Sequence, residues 1–331
     1  MHASTNIRFI PAADVHAILT YPACIGVVRK AMVETSRRNV ELPLRHGMRL
    51  PGGKGMLGMM YGYLGEPAGF GIKLVSLFPG NSAAGLSSHM GLFILYEPEH
   101  GKPVAIMDGS AITAVRTAAA SAVATDALAR PDARVLAILG TGEQAGSHLR
   151  AMATVRELTE VRVWGRDPRK AAAFVEHHAG DVKARLLPAA TVDDAVRDAD
   201  IICTVTAAST PILFGRQVIA GMHINLVGSS FPDKAEVDSE LVLKSRYYVD
   251  YRDSTLAQAG EFIQAKAVGL IEDSHIVAEI GAVLDGKAPG RADGAEITVY
   301  KSLGIAAQDL AAGDYVWREA ERKGTGQLLT L

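Results

Sequence analysis

Apolar and polar positions change their rhythm twice along this chain. Ile7-Arg8-Phe9-Ile10 reads as a strand, residues 11–14 as a helix start, and helical spacing continues through Lys30 and Glu34. Between residues 40 and 108, Gly and Pro separate short β-like stretches at 56–63, 71–78 and 91–96. Strands in direct succession predict antiparallel pairing rather than strand-helix-strand units. From 111 to 128 the chain becomes an Ala-rich helix that stops before Ala129-Arg130-Pro131-Asp132. A fully apolar strand, Val135-Leu136-Ala137-Ile138-Leu139, opens the next region. Further strands are expected at 161–164, 184–187, 201–205, 223–227 and 246–250, with helical segments between most of them, the first at 147–158. That alternation predicts a doubly wound parallel sheet. The tail from Glu296 to Ala312 reads as a turn followed by a helix.

The turn after the apolar strand is Gly140-Thr141-Gly142-Glu143-Gln144-Ala145, the G-x-G-x-x-G/A pattern of a dinucleotide-binding strand-to-helix turn. Gly140 permits the tight turn, Gly142 lets backbone approach a pyrophosphate, and Ala145 keeps the helix close to the sheet. The expected fold class is therefore α/β, a Rossmann-type doubly wound parallel sheet over residues 120–302 with a smaller α+β domain built from both chain ends, 1–119 and 303–331. The second strand ends Trp164-Gly165-Arg166-Asp167-Pro168-Arg169-Lys170, without the acid that usually closes this strand and binds the ribose of NAD(H). Gly165 with Arg166 and Lys170 suits a 2′-phosphate, so NADP(H) is the preferred cofactor. NAD(H) is the alternative, through Asp167.

Composition narrows the class. At 331 residues and 48% hydrophobic, the chain has material for two domains, and a formal net charge of -2 gives no basic field for nucleic acid. Cys24 and Cys203 lie in apolar runs without metal-ligand spacing, which reads as core. Residues 1–6 show no basic region followed by an apolar stretch, and no segment approaches membrane-spanning length, so a soluble cytoplasmic protein is expected. His46 and His89 sit in no metal-ligand or triad arrangement, no metal is expected, and Asp108 reads as a turn residue.

The chain also offers cations in apolar settings. Lys73 interrupts Gly71-Ile72-Lys73-Leu74-Val75, Arg116 interrupts the Ala-rich helix, and Arg45 and Arg49 flank a short polar stretch. A buried ammonium is costly unless an anion meets it, although an edge strand with its Lys in water accounts for the pattern too. Thr113, Thr117 and Ser121 form a polar stripe beside Arg116 that could face a ligand.

Arg45, Gly71-Ile72-Lys73, Met107-Asp108-Gly109-Ser110 leading to Arg116-Thr117, the Gly140 to Ala145 turn and Lys301-Ser302-Leu303-Gly304 occur in that order. Together they resemble the ornithine cyclodeaminase/mu-crystallin family over nearly the whole chain. The resemblance implies a homodimer whose first domain carries the dimer interface and the substrate pocket. It also implies that Arg45, Lys73 and Arg116 hold the carboxylate of a small amino or imino acid. Cofactor contacts are implied at Thr113 or Thr117, Gly228, Ser302 and Leu303, with Thr204 and Thr206 nearer the ribose.

Cyclodeaminases of the family carry acids where this chain has Gly58 and Ser230, and the ketimine reductases have Gly and Ser there. The expected reaction is therefore NAD(P)H-dependent reduction of a cyclic 2-imino acid, of the 1-pyrroline-2-carboxylate or 1-piperideine-2-carboxylate type, to the L-amino acid. Its proton would come from Lys73, if burial lowers its pKa, or through Ser230 and water. Ornithine cyclodeaminase and alanine dehydrogenase activities are the alternatives within the family. An NADP(H)-dependent small-molecule binding protein without turnover is the alternative outside catalysis.

Overall fold

A computed structural model describes residues 6–330; residues 1–5, on which most of the leader expectation falls, lie outside the described residues. Two compact units are present, Met1–Arg116 with Ile305–Leu331, and Thr117–Gly304. The first begins with β1 (Asn6–Ile10), α1 (Ala12–Ile18), α2 (Tyr21–Ser36), β2 (Val40–Glu41) and β3 (His46–Arg49). It continues through β4 (Met56–Gly65), β5 (Ala68–Leu77), β6 (His89–Tyr96) and β7 (Pro103–Asp108), and α3 (Gly109–Leu128) follows. The second unit holds β8 (Val135–Leu139), α4 (Glu143–Val155), β9 (Glu160–Trp164), α5 (Pro168–His177), β10 (Arg185–Pro188), α6 (Val192–Val196), β11 (Ile201–Thr204) and β12 (His223–Leu226). After these come α7 (Ser239–Lys244), β13 (Arg246–Val249), α8 (Arg252–Gln258), α9 (Gly260–Ala267), β14 (Ile276–Glu279), α10 (Ile280–Leu284) and β15 (Thr298–Lys301). The chain then returns to the first unit with α11 (Ala306–Lys323) and β16 (Gln327–Thr330).

In the first unit an eight-stranded sheet runs β16-β1-β7-β6-β5-β4-β2, with β3 also on β4. The succession β4 to β7 is antiparallel, as the uninterrupted strands predict, while β1 joins β7 in parallel. Alternation along these strands buries one face: Lys73, Phe93, Leu95 and Met107 are nearly inaccessible. α11 packs against β4, β5, β6 and α2. The opposite face shows Tyr61, Tyr63, Met90 and Leu92 to solvent.

The second unit's sheet runs β10-β9-β8-β11-β12-β15-β13-β14, and every neighbouring pair is parallel. Strand order extends one way from β8 through β9 to β10, then resumes on its other side at β11. Right-handed crossovers therefore place helices on both faces, and the turn after β8 falls at the switch point where such folds bind ligands. Leu136, Ala137, Ile138 and Leu139 are fully buried, which is why β8 carries no polar alternation.

Three sequence expectations are corrected. The helix after the turn begins at Glu143 rather than 147 and ends at Val155, because the Gly142 carbonyl already accepts from the Ala145 and Gly146 amides. The tail is not simply a turn and helix: residues 298–301 form β15, wedged between β12 and β13. β14 and β16 were also unmarked, being only four residues each with apolar runs of three and two residues. Among the described residues no helix is long and apolar enough to cross a membrane.

Candidate active site

Three residues far apart in sequence meet inside the first unit. Lys73 of β5 donates to both carboxylate oxygens of Asp309 on α11, each at 2.9 Å. Arg116 of α3 donates from Nε to Asp309 Oδ1 at 2.8 Å and from Nη1 to Gln308 Oε1 at 2.8 Å. Lys73, Arg116, Gln308 and Asp309 are all buried. Burial pushes the Lys73 ammonium down to about 7, helped by Arg116, while Asp309 pulls the other way. Burial alone would raise the Asp309 carboxyl, but Arg116 and Lys73 hold it below the usual carboxylate range. Arg45, half-buried just before β3, adds a third positive charge that Lys73 feels.

The expected clamp of three cations thus contains an internal carboxylate. Lys73 points inward rather than to water, and its countercharge is Asp309 instead of a substrate alone. Sequence reading missed this acid. Its signal was Gln308-Asp309 inside Ala306-Ala307 and Leu310-Ala311-Ala312, two polar residues on an otherwise apolar helical stretch. The polar stripe on α3 divides as well. Thr113 donates its hydroxyl to the Gly109 carbonyl at 2.7 Å, a bond within the helix. Ser121 donates to His148 Nε2, whose Nδ1–H is fixed on the Gln144 carbonyl, and burial holds this imidazole down at about 4. Thr117 keeps a buried hydroxyl with no partner among the described residues. Asp108 accepts from the Ala111 amide and starts α3, which accounts for it as a turn residue.

In the second unit the dinucleotide turn has the geometry its glycines imply. Gly140 has φ +134°, and a Cβ there would lie 2.7 Å from the Val205 carbonyl oxygen. At Gly142 the space a Cβ would point into is open for 4 Å. Thr141 lies against Gly165, and Glu143, Gln144 and Ala145 form the first turn of α4. Arg166 and Lys170 are exposed beyond β9, whereas Asp167 caps α5 through the Arg169 amide and is paired with the Arg169 side chain.

At the strand ends, where Thr204 and Thr206 are expected nearer the ribose, both hydroxyls are engaged: Thr204 donates to Glu236 Oε2 and Thr206 to Glu236 Oε1, each at 2.7 Å. The amides of Thr206 and Gly228 donate to the same carboxylate. Burial raises the Glu236 pKa against these four bonds. Gly228 stands so close to the Thr206 backbone that no side chain fits there. Asp250 plays a matching part, accepting the amides of Leu303 and Gly304 at 2.8 and 2.7 Å. Ser302 keeps a buried hydroxyl without a partner among the described residues, and so does the side-chain amide oxygen Oε1 of Gln144. Ser230 is half-buried in the loop after β12. Open space at Gly142, at the start of α4, and three buried polar side-chain atoms without partners among the described residues fit a dinucleotide.

The family model for the ornithine cyclodeaminase/mu-crystallin family matches residues 7–324. The chain belongs to that family. It is 39% identical over 275 residues to the ketimine reductase mu-crystallin of Mus musculus, covering 83% of this chain and 84% of that protein. The Delta(1)-pyrroline-2-carboxylate reductase of Thermococcus litoralis, solved with NADH and L-proline, superposes with a TM-score of 0.94. It is 32% identical and covers 97% of this chain and 99% of its own. An archaeal alanine dehydrogenase dimer with bound NAD gives a TM-score of 0.92 at 29% identity, covering 98% and 99%. Solved structures that share this fold thus include a reductase with bound NADH and L-proline and an alanine dehydrogenase with bound NAD.

Proposed function

We propose that this protein reduces a cyclic 2-imino acid, of the 1-pyrroline-2-carboxylate or 1-piperideine-2-carboxylate type, to the L-amino acid with NAD(P)H. The carrying observation is the buried pair of Lys73 and Arg116 on Asp309, with half-buried Arg45 near enough for Lys73 to feel its charge. Two buried cations on one carboxylate leave positive charge for one further carboxylate. A bound reduced nicotinamide supplies the hydride for the C=N carbon. Lys73 gives the proton to the imine nitrogen, since an ammonium titrating near neutrality is a competent acid, and Ser230 is the second candidate. Ornithine cyclisation is disfavoured because Gly58 and Ser230 offer no carboxylate, and a Cβ at Gly58 would already lie 3.2 Å from Val75 Cγ1.

The cofactor contacts are assigned to the Gly140–Ala145 turn, Gly165, Thr117, Gly228, Ser302 and Leu303. Thr113, Thr204 and Thr206 serve through backbone and neighbours rather than through free hydroxyls. NADP(H) is preferred over NAD(H), because Arg166 and Lys170 are exposed while Asp167 is held by α5 and Arg169. A homodimer is assigned to the apolar outer face of the first unit's sheet, where Tyr61, Tyr63, Met90 and Leu92 need cover. A cytoplasmic location accords with the two free, buried cysteines.

Steady-state assays with 1-pyrroline-2-carboxylate and 1-piperideine-2-carboxylate, each with NADPH and NADH, test the reading against ornithine with NAD and pyruvate with ammonia and NADH. Imine reduction at least tenfold more efficient than either parallel reaction is expected. Comparable ammonia release from ornithine would replace it with cyclodeamination, and cofactor binding without turnover would leave a binding protein.

A further inference from the structure

We propose that Asp309 is a positioning residue for the reaction: from α11 it fixes the Lys73 ammonium and the Arg116 guanidinium in one geometry and keeps Lys73 charged until its proton is used. The proposal deepens the reductase reading and rests on it. Both Asp309 oxygens lie 2.9 Å from Lys73 Nζ, and Oδ1 also takes Arg116 Nε, so one carboxylate sets the direction of two cations on different elements. Gln308, the preceding residue, holds the other end of the guanidinium, and its own Nε2 donates to Met32 Sδ at 3.7 Å. Two consecutive residues of α11 therefore orient Arg116 along both its edges. Such a fixed fork suits a planar carboxylate better than two mobile side chains do.

The groups around Lys73 set its charge. Asp309 faces it from α11, Arg116 from α3 and Arg45 from the segment before β3, while His89 on β6 feels the lysine's charge. On α2, Cys24 feels Arg116 and Asp309, and its thiol is pushed far up by burial. Among these neighbours Asp309 alone opposes the loss of the Lys73 proton. In the reaction the Lys73 proton passes to the imine nitrogen as hydride reaches the adjoining carbon. The product is the amino acid and Lys73 is left as a neutral amine, which water reprotonates. Asp309 gives up no proton and makes no bond to substrate; its effect reaches the reacting atoms through Lys73 and Arg116.

Asp309→Asn keeps the shape and removes the charge. In the purified full-length protein, kcat/KM for the imine is expected to fall at least tenfold at pH 7.5. The alkaline limb of its pH profile is expected to move at least one unit lower, while the NADH dissociation constant changes less than twofold. Binding of pyrrole-2-carboxylate, a planar anion that cannot be reduced, should show the same displaced limb without turnover. Asp309→Glu, which restores the charge, should return the limb towards the wild-type position, and it is read if the Asn variant does not fold. A limb that stays in place in Asp309→Asn, or one that moves equally in Asp309→Glu, overturns the proposal. Wild-type protein that binds no pyrrole-2-carboxylate and reduces no imine overturns the reductase reading instead.

Discussion

At Lys73 the flanking Ile72 and Leu74 mark a strand but say nothing of what meets the ammonium, because its partner lies 236 residues along the chain. An unpaired ammonium there would be expelled or neutralised; Asp309 is what lets a charge remain. Lys73→Met is expected to abolish binding of pyrrole-2-carboxylate while leaving NADH affinity within twofold of wild type, as fluorescence titration can check. His148 gives a pH prediction of a different kind. Its folded pKa of about 4 lies below the ordinary 6.5, so the unfolded chain takes up a proton that the folded one refuses. Stability is therefore full above pH 6.5 and is lost as pH falls towards 4, by about 3 kcal/mol at one proton across that window. His223, held at about 3 by burial and by Arg291, acts in the same direction. Urea denaturation between pH 7 and 4 should show the loss, and His148→Gln should flatten it.

Elements place these residues, and their legibility differs for physical reasons. β8 was plain in the sequence because burial on all sides leaves an unbroken apolar signal at Leu136–Leu139, and α3 because its Ala-rich run has high helix propensity. β15 was not, since Thr298 and Lys301 read as polar although both are fully buried: Thr298 bonds His223 and Lys301 pairs with Glu261 at 3.0 Å. Thr204 and Thr206 were legible as strand-end residues, yet their occupation by Glu236 was not, because that acid arrives from a loop some thirty residues on. Replacing Glu236 with Gln turns one acceptor into a donor and opposes two of the four bonds. A loss of about 1–3 kcal/mol in unfolding free energy is expected, together with at least fivefold weaker NADH binding. Asp108→Ala removes the cap from α3 and should cost about 1 kcal/mol, measurable by thermal unfolding. Gly140→Ala is expected to cost more than about 1 kcal/mol, because its φ of +134° and the nearby Val205 carbonyl both exclude a methyl group.

For the whole molecule, the apolar outer face of the first unit's sheet bears on assembly. If the proposed homodimer uses this face, a Leu92→Arg and Tyr61→Arg double variant should have monomer mass by light scattering without loss of folded signal; a variant that stays dimeric would place the contact elsewhere, and wild-type protein of monomer mass would overturn the homodimer. By itself the sequence determined the alternating strand-helix unit, the dinucleotide turn, the family and the three cations, because each is written in local spacing or in residue types that cost free energy to bury. Tertiary structure decided what those cations face. Asp309 and Gln308 on α11, Glu236 beneath the strand ends and Asp250 under Leu303 and Gly304 meet their partners across long stretches of chain. A charge buried in a low-dielectric core takes its meaning from whichever group the fold brings within about 3 Å, and sequence spacing carries no record of that distance.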